Sequence, residues 1–136
     1  MGGCNFGNEP YLFFLSDEVR VSFGCSFITH DGGTWAFRDM PKYKDVIKYG
    51  KIVVGKRSFI GARSIIMPGV TIGERCVIGA GSIVTSDIPD HCVAVGSPAK
   101  VIMSMEEYAE KCLASLKPYD KEAYSVNKRE YLLKWL

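Results

Sequence analysis

The chain has 136 residues, a length that predicts one domain, and its formal net charge of +2 gives no basis for binding nucleic acid. It shows no charged segment followed by an apolar one at its start and no apolar run long enough to span a membrane, so a cytoplasmic protein is predicted. The five cysteines form no CxxC motif, and we expect free thiols rather than a metal or disulfide site.

A six-residue hydrophobic repeat begins early in the chain and then breaks off. Residues 4–14 are predicted to form a first, irregular strand, and residues 15–30 to form nearly a full coil led by Leu15, Val21 and Phe27. About twenty residues without the repeat follow, which predicts an extruded loop over about residues 31–50. Insertions into repeat arrays form loops on one face, often the binding face, so this loop is a predicted binding region.

The repeat resumes with an aliphatic residue at every sixth position: Val54, Ile60, Ile66, Ile72, Ile78 and Val84. A second set of positions follows each of these by four residues: Ser58, Ser64, Val70, Cys76, Ser82 and Ile88. This period fits neither an α-helix nor a flat amphipathic strand, and it is typical of a parallel β-helix built from hexapeptide repeats. Three six-residue sides then make one triangular coil, with the aliphatic residues inside and the second set near the tight corners.

The C-terminal part of the chain is predicted to leave the β-helix and become helical. The repeat breaks at residues 88–91, and residues 93–102 are predicted to be a last extended stretch. Ser104 and Glu107 form a capping box that opens a helix to about Lys117, and a second helix is predicted from about Asn127 to Trp135. We expect a β-helix domain over residues 1–103 and a helical extension over residues 104–136, whose helices close the open end of the stack.

Several segments together resemble a known family more specifically than any single hexad does. They are Phe27–Gly33, the hexads Ile60–Ala62 and Ile78–Thr85, and Val95–Ile102, with Asn8–Leu12 as a further match. Together they resemble the hexapeptide-repeat O-acetyltransferases, a group that includes maltose and galactoside acetyltransferases and enzymes that acetylate surface polysaccharides. The resemblance covers roughly residues 8–103.

The resemblance implies an all-β, left-handed parallel β-helix that assembles as a homotrimer, with acetyl-CoA as co-substrate between neighbouring subunits and with no metal. It also implies an acyltransferase whose acceptor is a hydroxyl of a sugar or surface-polysaccharide precursor. A histidine of the loop-bearing coil would act as the base, and His30 stands at that place. Imidazole suits this role near neutral pH. Asp31 is expected either to orient His30 or to serve as a turn residue, and His91, the other histidine, is expected to be an exposed turn residue.

The resemblance assigns four residues to CoA binding: Ala62, Ala80, Thr85 and Lys100. The two alanines are 18 residues apart and are therefore expected to stack at one corner, where their main-chain groups bond the pantetheine arm. Thr85 is expected near the adenine end, and Lys100 to supply a cation for a CoA phosphate. The family often carries a second basic residue three positions after this lysine, where the present chain has Met103.

The loop and the N-terminal segment supply the candidate acceptor-binding residues. Trp35 offers an aromatic face for a sugar ring, and Arg38 suits an acidic sugar or a nucleotide phosphate. The alternative is a loop that packs its aromatic residues on a neighbouring subunit. Glu9 and Tyr11 lie about one coil before the candidate base and are expected to line the same corner.

Three other functions are compatible with the fold. An N-acetyltransferase acting on an amino sugar or sugar nucleotide would share the fold and the CoA groove. A β-helical carbonic anhydrase would need three zinc ligands, usually histidines, and the chain has two histidines. A non-catalytic β-helix binding protein would keep the fold without the chemistry.

Overall fold

The computed structural model describes residues 1–136 and contains eleven short strands, most of them two or three residues long. Strands this short follow from the repeat, because each six-residue side leaves only a few residues extended between two turns. The strands are β1 (Phe13–Leu15), β2 (Arg20–Val21), β3 (Ser26–Phe27), β4 (Ile52–Val54), β5 (Phe59–Ile60), β6 (Ile65–Ile66), β7 (Thr71–Ile72), β8 (Val77–Ile78), β9 (Ile83–Val84), β10 (Cys92–Gly96) and β11 (Ala99–Ser104).

Consecutive strands enter three different sheets in rotation, which is the arrangement of a triangular coil. The first sheet has the order β1-β4-β7, the second β2-β5-β8-β10-β11 and the third β3-β6-β9. All strand pairs are parallel except the pair of β10 and β11. The prediction of a parallel β-helix is therefore confirmed.

The pairing register locates the insertion that interrupts the repeat. Val53 pairs with Thr71 in the next coil, an offset of 18 residues, which is three hexads. Phe13 pairs with Ile52 in the next coil, an offset of 39 residues, so 21 extra residues lie between these two coils. They leave the prism at the corner between the third and first sheets, which we call the loop corner.

The interior of the prism holds the aliphatic residues that the repeat predicts. All six leading positions from Val54 to Val84 are fully buried, and the second set from Ser58 to Ile88 is at most 5% exposed. Leu15 is the exception, since it pairs with Val54 in register but is 38% exposed. It lies in the first coil, where Phe6 stacks on Phe27 with ring centroids 5.5 Å apart and covers only part of the open end.

The small residues near the corners also make hydrogen bonds, which the repeat alone does not reveal. The buried Ser58 hydroxyl donates to the carbonyl of Gly73 at 2.7 Å and accepts from the backbone N–H of Cys76 at 2.9 Å. Ser64 and Ser82 donate to the carbonyl of Gly79. No buried side-chain nitrogen or oxygen is without a hydrogen-bond partner, so these serines are compatible with a dry core. All five cysteines are free thiols, as predicted.

The extruded loop is closed at its base by backbone hydrogen bonds. The N–H of Asp31 donates to the carbonyl of Lys48, and the N–H of Gly50 donates to the carbonyl of Thr29, both at 2.9 Å. Within the loop two 3₁₀ helices span Gly32–Phe37 and Pro41–Tyr43. A Cβ at Gly50 would overlap the backbone of the next coil at Gly69, so glycine is needed where the loop rejoins the prism.

The end of the β-helix differs from the single extended stretch that the sequence predicts. β10 and β11 form an antiparallel hairpin on the second sheet, and Gly96 at the turn has a φ of 103° that favours glycine. The register shifts between Val93 and Ala94. The extra strand was missed because the antiparallel return has no six-residue period.

Three helices follow the hairpin: α1 (Met105–Ser115), α2 (Lys121–Val126) and α3 (Lys128–Trp135). The Ser104 hydroxyl accepts a hydrogen bond from the N–H of Glu107 at 3.0 Å, which is the predicted cap of α1. α2 was not predicted; it is six residues long and begins at an Asp120 cap. The three helices bury none of their residues, so they do not close the end of the stack as predicted. None of them is long and apolar enough to cross a membrane.

Candidate functional site

His30 lies at the base of the extruded loop, where the third sheet turns into it. It forms an isolated antiparallel bridge with Tyr49 on the returning side of the loop, and their rings are 5.8 Å apart. The preceding residue, Thr29, is buried, whereas the His30 side chain is 39% exposed. The fold therefore fixes the backbone at this position and leaves one side of the imidazole open.

A carboxylate from the N-terminal segment, that of Glu9, contacts Nδ1 of the His30 imidazole. The Oε2 atom of Glu9 accepts a hydrogen bond from the Thr29 hydroxyl at 2.6 Å and lies 3.0 Å from Nδ1 of His30. The Glu9 side chain is only 13% exposed. The hydrogen bond from Thr29, and next the one from His30, hold the pKa of Glu9 below its ordinary value, so this carboxyl is ionised.

The ionised carboxylate determines which ring nitrogen of His30 can act as a base. A carboxylate only accepts hydrogen bonds, so Nδ1 must carry a proton in order to donate to Glu9. In the neutral ring the other nitrogen, Nε2, is then an acceptor. Nε2 has no hydrogen-bond partner within the chain. The arrangement presents an unoccupied basic nitrogen at an open site.

Asp31 does not orient His30, and the structure gives it the alternative role of a turn residue. Its carboxylate accepts from the N–H of Gly33 at 2.8 Å and pairs with Nζ of Lys48 at 3.4 Å. The hydrogen bond from Gly33, and next the one from Lys48, lower the pKa of Asp31. The sequence placed Glu9 only near this corner, because the irregular segment before the first coil gives no spacing from which a direct contact can be inferred.

One cavity opens beside the candidate base, and a second cavity shares Arg38 with it. One, of about 200 Å³, is lined by both ends of the loop, including His30, Asp31, Arg38 and Tyr49. The other, of about 470 Å³, is lined by Trp35, Arg38 and their neighbours. Tyr49 was not singled out from the sequence, and no residue pattern pointed to it. Among the predicted acceptor residues, Tyr11 is 72% exposed and lines neither cavity.

The two alanines predicted to bind CoA stack on neighbouring coils at the corner between the second and third sheets, which we call the alanine corner. The N–H of Gly81 donates to the carbonyl of Ala62 at 2.8 Å, and a Cβ at Gly61 would lie 2.5 Å from the nitrogen of Ala80. The carbonyl of Ala62 is thereby occupied, whereas that of Ala80 accepts no backbone hydrogen bond. The exposed Ala80 therefore offers the freer main-chain acceptor.

The remaining predicted CoA residues lie in different places. Thr85 follows β9 and is exposed at the other edge of the third sheet from the alanine corner. Lys100 is exposed on β11, opposite Val95, and Met103 on the same strand lies opposite Val93. The alanine corner and Thr85 thus border the outer face of one sheet, and the loop corner with His30 adjoins that face.

His91 lies in a turn, as predicted, and its side chain, which is 37% exposed, also makes a structural contact. Its Nδ1 lies 2.8 Å from Oε1 of Glu106 at the start of α1, and its Nε2 lies 3.5 Å from Oε1 of Glu74. The hydrogen bond to Glu106 is the main cause that raises the pKa of His91. Burial lowers this pKa in part, and the contact with Glu74 raises it further. No group of three or more His, Cys, Asp or Glu side chains is arranged to hold a metal ion.

Comparisons with known proteins agree with this fold. Residues 51–86 match a family model described as the hexapeptide repeat of succinyl-transferase. Protein CapG from Staphylococcus aureus is 46% identical over 128 residues, which cover 94% of this chain and 73% of CapG. Galactoside O-acetyltransferase from Escherichia coli is 38% identical over 111 residues, which cover 76% of this chain and 55% of that protein.

A solved structure of a galactoside acetyltransferase in complex with coenzyme A superimposes with a TM-score of 0.61 and 29% identity. The match covers 80% of this chain and 50% of that one. The present chain therefore spans about half the length of the two galactoside enzymes and about three quarters of CapG.

Proposed function

Because the chain belongs to the hexapeptide-repeat acyltransferase family, we propose that it transfers an acetyl group from acetyl-CoA to a hydroxyl of a sugar or a surface-polysaccharide precursor. The observation that carries this proposal is the imidazole of His30, which is held at Nδ1 by Glu9 and has an unoccupied Nε2 beside a cavity. Acetyl transfer to a hydroxyl needs a base at such a place.

The proposed reaction uses the base in both of its halves. Nε2 of His30 takes the proton of the acceptor hydroxyl as the oxygen attacks the thioester carbonyl. The tetrahedral intermediate then collapses, the carbon–sulfur bond breaks, and the imidazolium returns the proton to the CoA sulfur. The charge of Glu9 stabilises the imidazolium while it exists. A base of this kind contributes roughly 10²–10⁴-fold in rate.

Acetyl-CoA is proposed to lie along the outer face of the third sheet. Main-chain groups of Ala62 and Ala80 would bond the pantetheine arm, with the free carbonyl of Ala80 as the better placed acceptor. Thr85 would lie near the adenine end, and Lys100 would contact a CoA phosphate. The galactoside acetyltransferase whose structure resembles this one was solved with coenzyme A, which supports the choice of donor.

The left-handed sense of the β-helix, a homotrimeric assembly and a cytoplasmic location are parts of the same proposal. Large apolar side chains on the prism support the assembly, since Phe14, Phe23 and Phe59 are between 43% and 57% exposed. Light scattering should give close to three times the chain mass of 15.1 kDa. A stable monomer that binds acetyl-CoA would contradict the trimer.

The experiment that tests the activity is release of CoA thiol from acetyl-CoA in the presence of a panel of hexoses, hexosamines and polysaccharide fragments. We expect release that depends on a hydroxyl acceptor and an ester product that alkali cleaves. An alkali-stable amide formed only with hexosamines would favour the N-acetyltransferase. Acetyl-CoA binding without any acceptor-dependent thiol release would favour a non-catalytic binding protein.

A further inference from the structure

Arg38 lies between the cavity beside His30 and the cavity beside Trp35. It follows the 3₁₀ helix Gly32–Phe37 directly, and it lines both the cavity that contains His30 and the cavity that contains Trp35. Its guanidinium carbon lies 5.7 Å from the centre of the Trp35 ring. A ligand that spans these cavities would therefore meet a guanidinium at their junction.

The charge of Arg38 is not compensated by the chain. The pocket carboxylate, Asp31, is already paired with Lys48 and with the N–H of Gly33. Asp39 lines the Trp35 cavity with Arg38, but Arg38 forms no ion pair within the chain. On the other side of His30, the Glu9 carboxylate is occupied by Thr29 and the imidazole. An uncommitted guanidinium at a cavity is suited to a ligand that carries negative charge.

The part of the loop that carries Arg38 is ordered by its own contacts. Asp31 caps the 3₁₀ helix through Gly33, Thr34 is 7% exposed, and Phe37 packs edge-on against Tyr43 at 5.7 Å. Trp35, by contrast, is 78% exposed. The loop thus presents an exposed aromatic ring next to the guanidinium of Arg38, a combination that fits a sugar ring with an anionic substituent.

We propose that the His30 cavity and the Trp35 cavity together bind an anionic saccharide, with its carboxylate or phosphate held by Arg38 and its ring lying against Trp35. This inference rests on the proposed acetyl transfer, because it describes the acceptor of that reaction. Arginine presents a planar fork that matches both a carboxylate and a phosphate, so a uronic acid and a sugar phosphate share the required chemistry. Neutral sugars would retain only the stacking and hydroxyl contacts.

The test is a binding titration with the full chain in the presence of CoA, read by saturation-transfer NMR. The probes are methyl glucoside against methyl glucuronide, methyl galactoside against methyl galacturonide, and the two hexose 1-phosphates. Wild-type protein should bind at least one anionic probe about tenfold more tightly than its neutral counterpart, and the difference should shrink as salt is added. Preference for the uronides or for the phosphates identifies which anion is bound.

Three variants test whether the preference for anionic probes depends on Arg38. Arg38→Gln should remove the preference, because it weakens binding of the anionic probes far more than binding of the neutral glycosides. Arg38→Lys keeps the charge without the fork and should retain part of the preference. Arg129→Gln, at an exposed arginine of α3 that forms no ion pair, should behave like the wild type. Equal binding of neutral and anionic probes by the wild type, or a preference that survives in Arg38→Gln, overturns the inference.

Failure of this inference and failure of the proposed function give different results. If neutral sugars are acetylated and Arg38→Gln does not change the choice of acceptor, acetyl transfer stands and the anionic acceptor is wrong. If anionic probes bind through Arg38 but no saccharide is acetylated, the binding site stands and the proposed reaction is wrong.

Discussion

The contact between Glu9 and His30 can act in two ways: the negative charge of Glu9 can stabilise the imidazolium, and its hydrogen bond can hold the imidazole in position. A single oxygen, Oε2 of Glu9, accepts from the Thr29 hydroxyl at 2.6 Å and lies 3.0 Å from Nδ1 of His30. In Glu9→Gln the amide oxygen can take that place, so both hydrogen bonds remain and only the charge is lost. In Glu9→Ala both hydrogen bonds are lost.

The two variants should therefore differ in how far they lower kcat and in whether they also lower the stability of the fold. A hydrogen bond to an ionised acceptor is roughly twice as strong as a neutral one, so Glu9→Gln should lower kcat about fivefold to tenfold with little change in KM. Glu9→Ala releases the imidazole, and we expect a loss of about 10²-fold in kcat. It also leaves the hydroxyl of Thr29, a residue that is only 1% exposed, without its acceptor, at a cost of about 1–3 kcal/mol in unfolding free energy.

Steady-state kinetics at saturating acetyl-CoA, together with thermal unfolding, measure both effects. Thr29→Val is the matched control, because it keeps the shape and removes the hydroxyl while the contact between Glu9 and His30 remains. Its kcat should stay within about threefold of the wild type. If Glu9→Ala keeps wild-type turnover, Glu9 does not position the base. If Glu9→Gln is as damaging as Glu9→Ala, the distinction between charge and position is wrong.

Three further predictions concern the donor site, the coil contacts and the helical extension. Lys100→Ala should weaken CoA binding about fivefold in calorimetric titration and leave dephospho-CoA unaffected; equal binding of both by the variant and the wild type would exclude the contact. Gly61→Ala should reduce the unfolding free energy by about 1–3 kcal/mol, because its Cβ would lie 2.5 Å from the backbone nitrogen of Ala80, and an unchanged melting temperature would contradict this. Glu106 raises the pKa of His91, so their contact stabilises the fold at low pH and is lost as pH rises through that raised value. His91→Gln should accordingly lower the melting temperature more at about pH 6 than at about pH 9, and equal losses would refute the assignment.

The repetitive part of the fold could be predicted from the sequence because each position of a six-residue repeat has a fixed place in the coil. Each leading aliphatic residue from Val54 to Val84 has the same surroundings one coil away, so a local pattern determines both the strand pairing and the core. The same reasoning fails for Leu15, which has the pattern but lies in the first coil with no complete coil beneath it. Burial at the end of a stack depends on what covers it, which the repeat does not encode.

The candidate site, too, could be predicted from the sequence only in part. His30 could be located because the repeat stops beside it and because the surrounding segment resembles a family motif. Its partner could not, since Glu9 reaches it from an irregular segment 21 residues earlier, outside any repeat. The sequence offered Asp31 as an orienting group, but a capping carboxylate next to glycine residues bonds the nearest backbone N–H instead.

Single-turnover kinetics of His30→Asn test whether His30 is the base of acetyl transfer. The variant keeps a polar side chain of similar size without a base, and it should bind acetyl-CoA with wild-type affinity. With acetyl-CoA bound and an accepted saccharide in excess, we expect the rate of ester formation to fall roughly 10²-fold or more. A His30→Asn protein that acetylates the same acceptor at close to the wild-type rate would show that His30 is not the base.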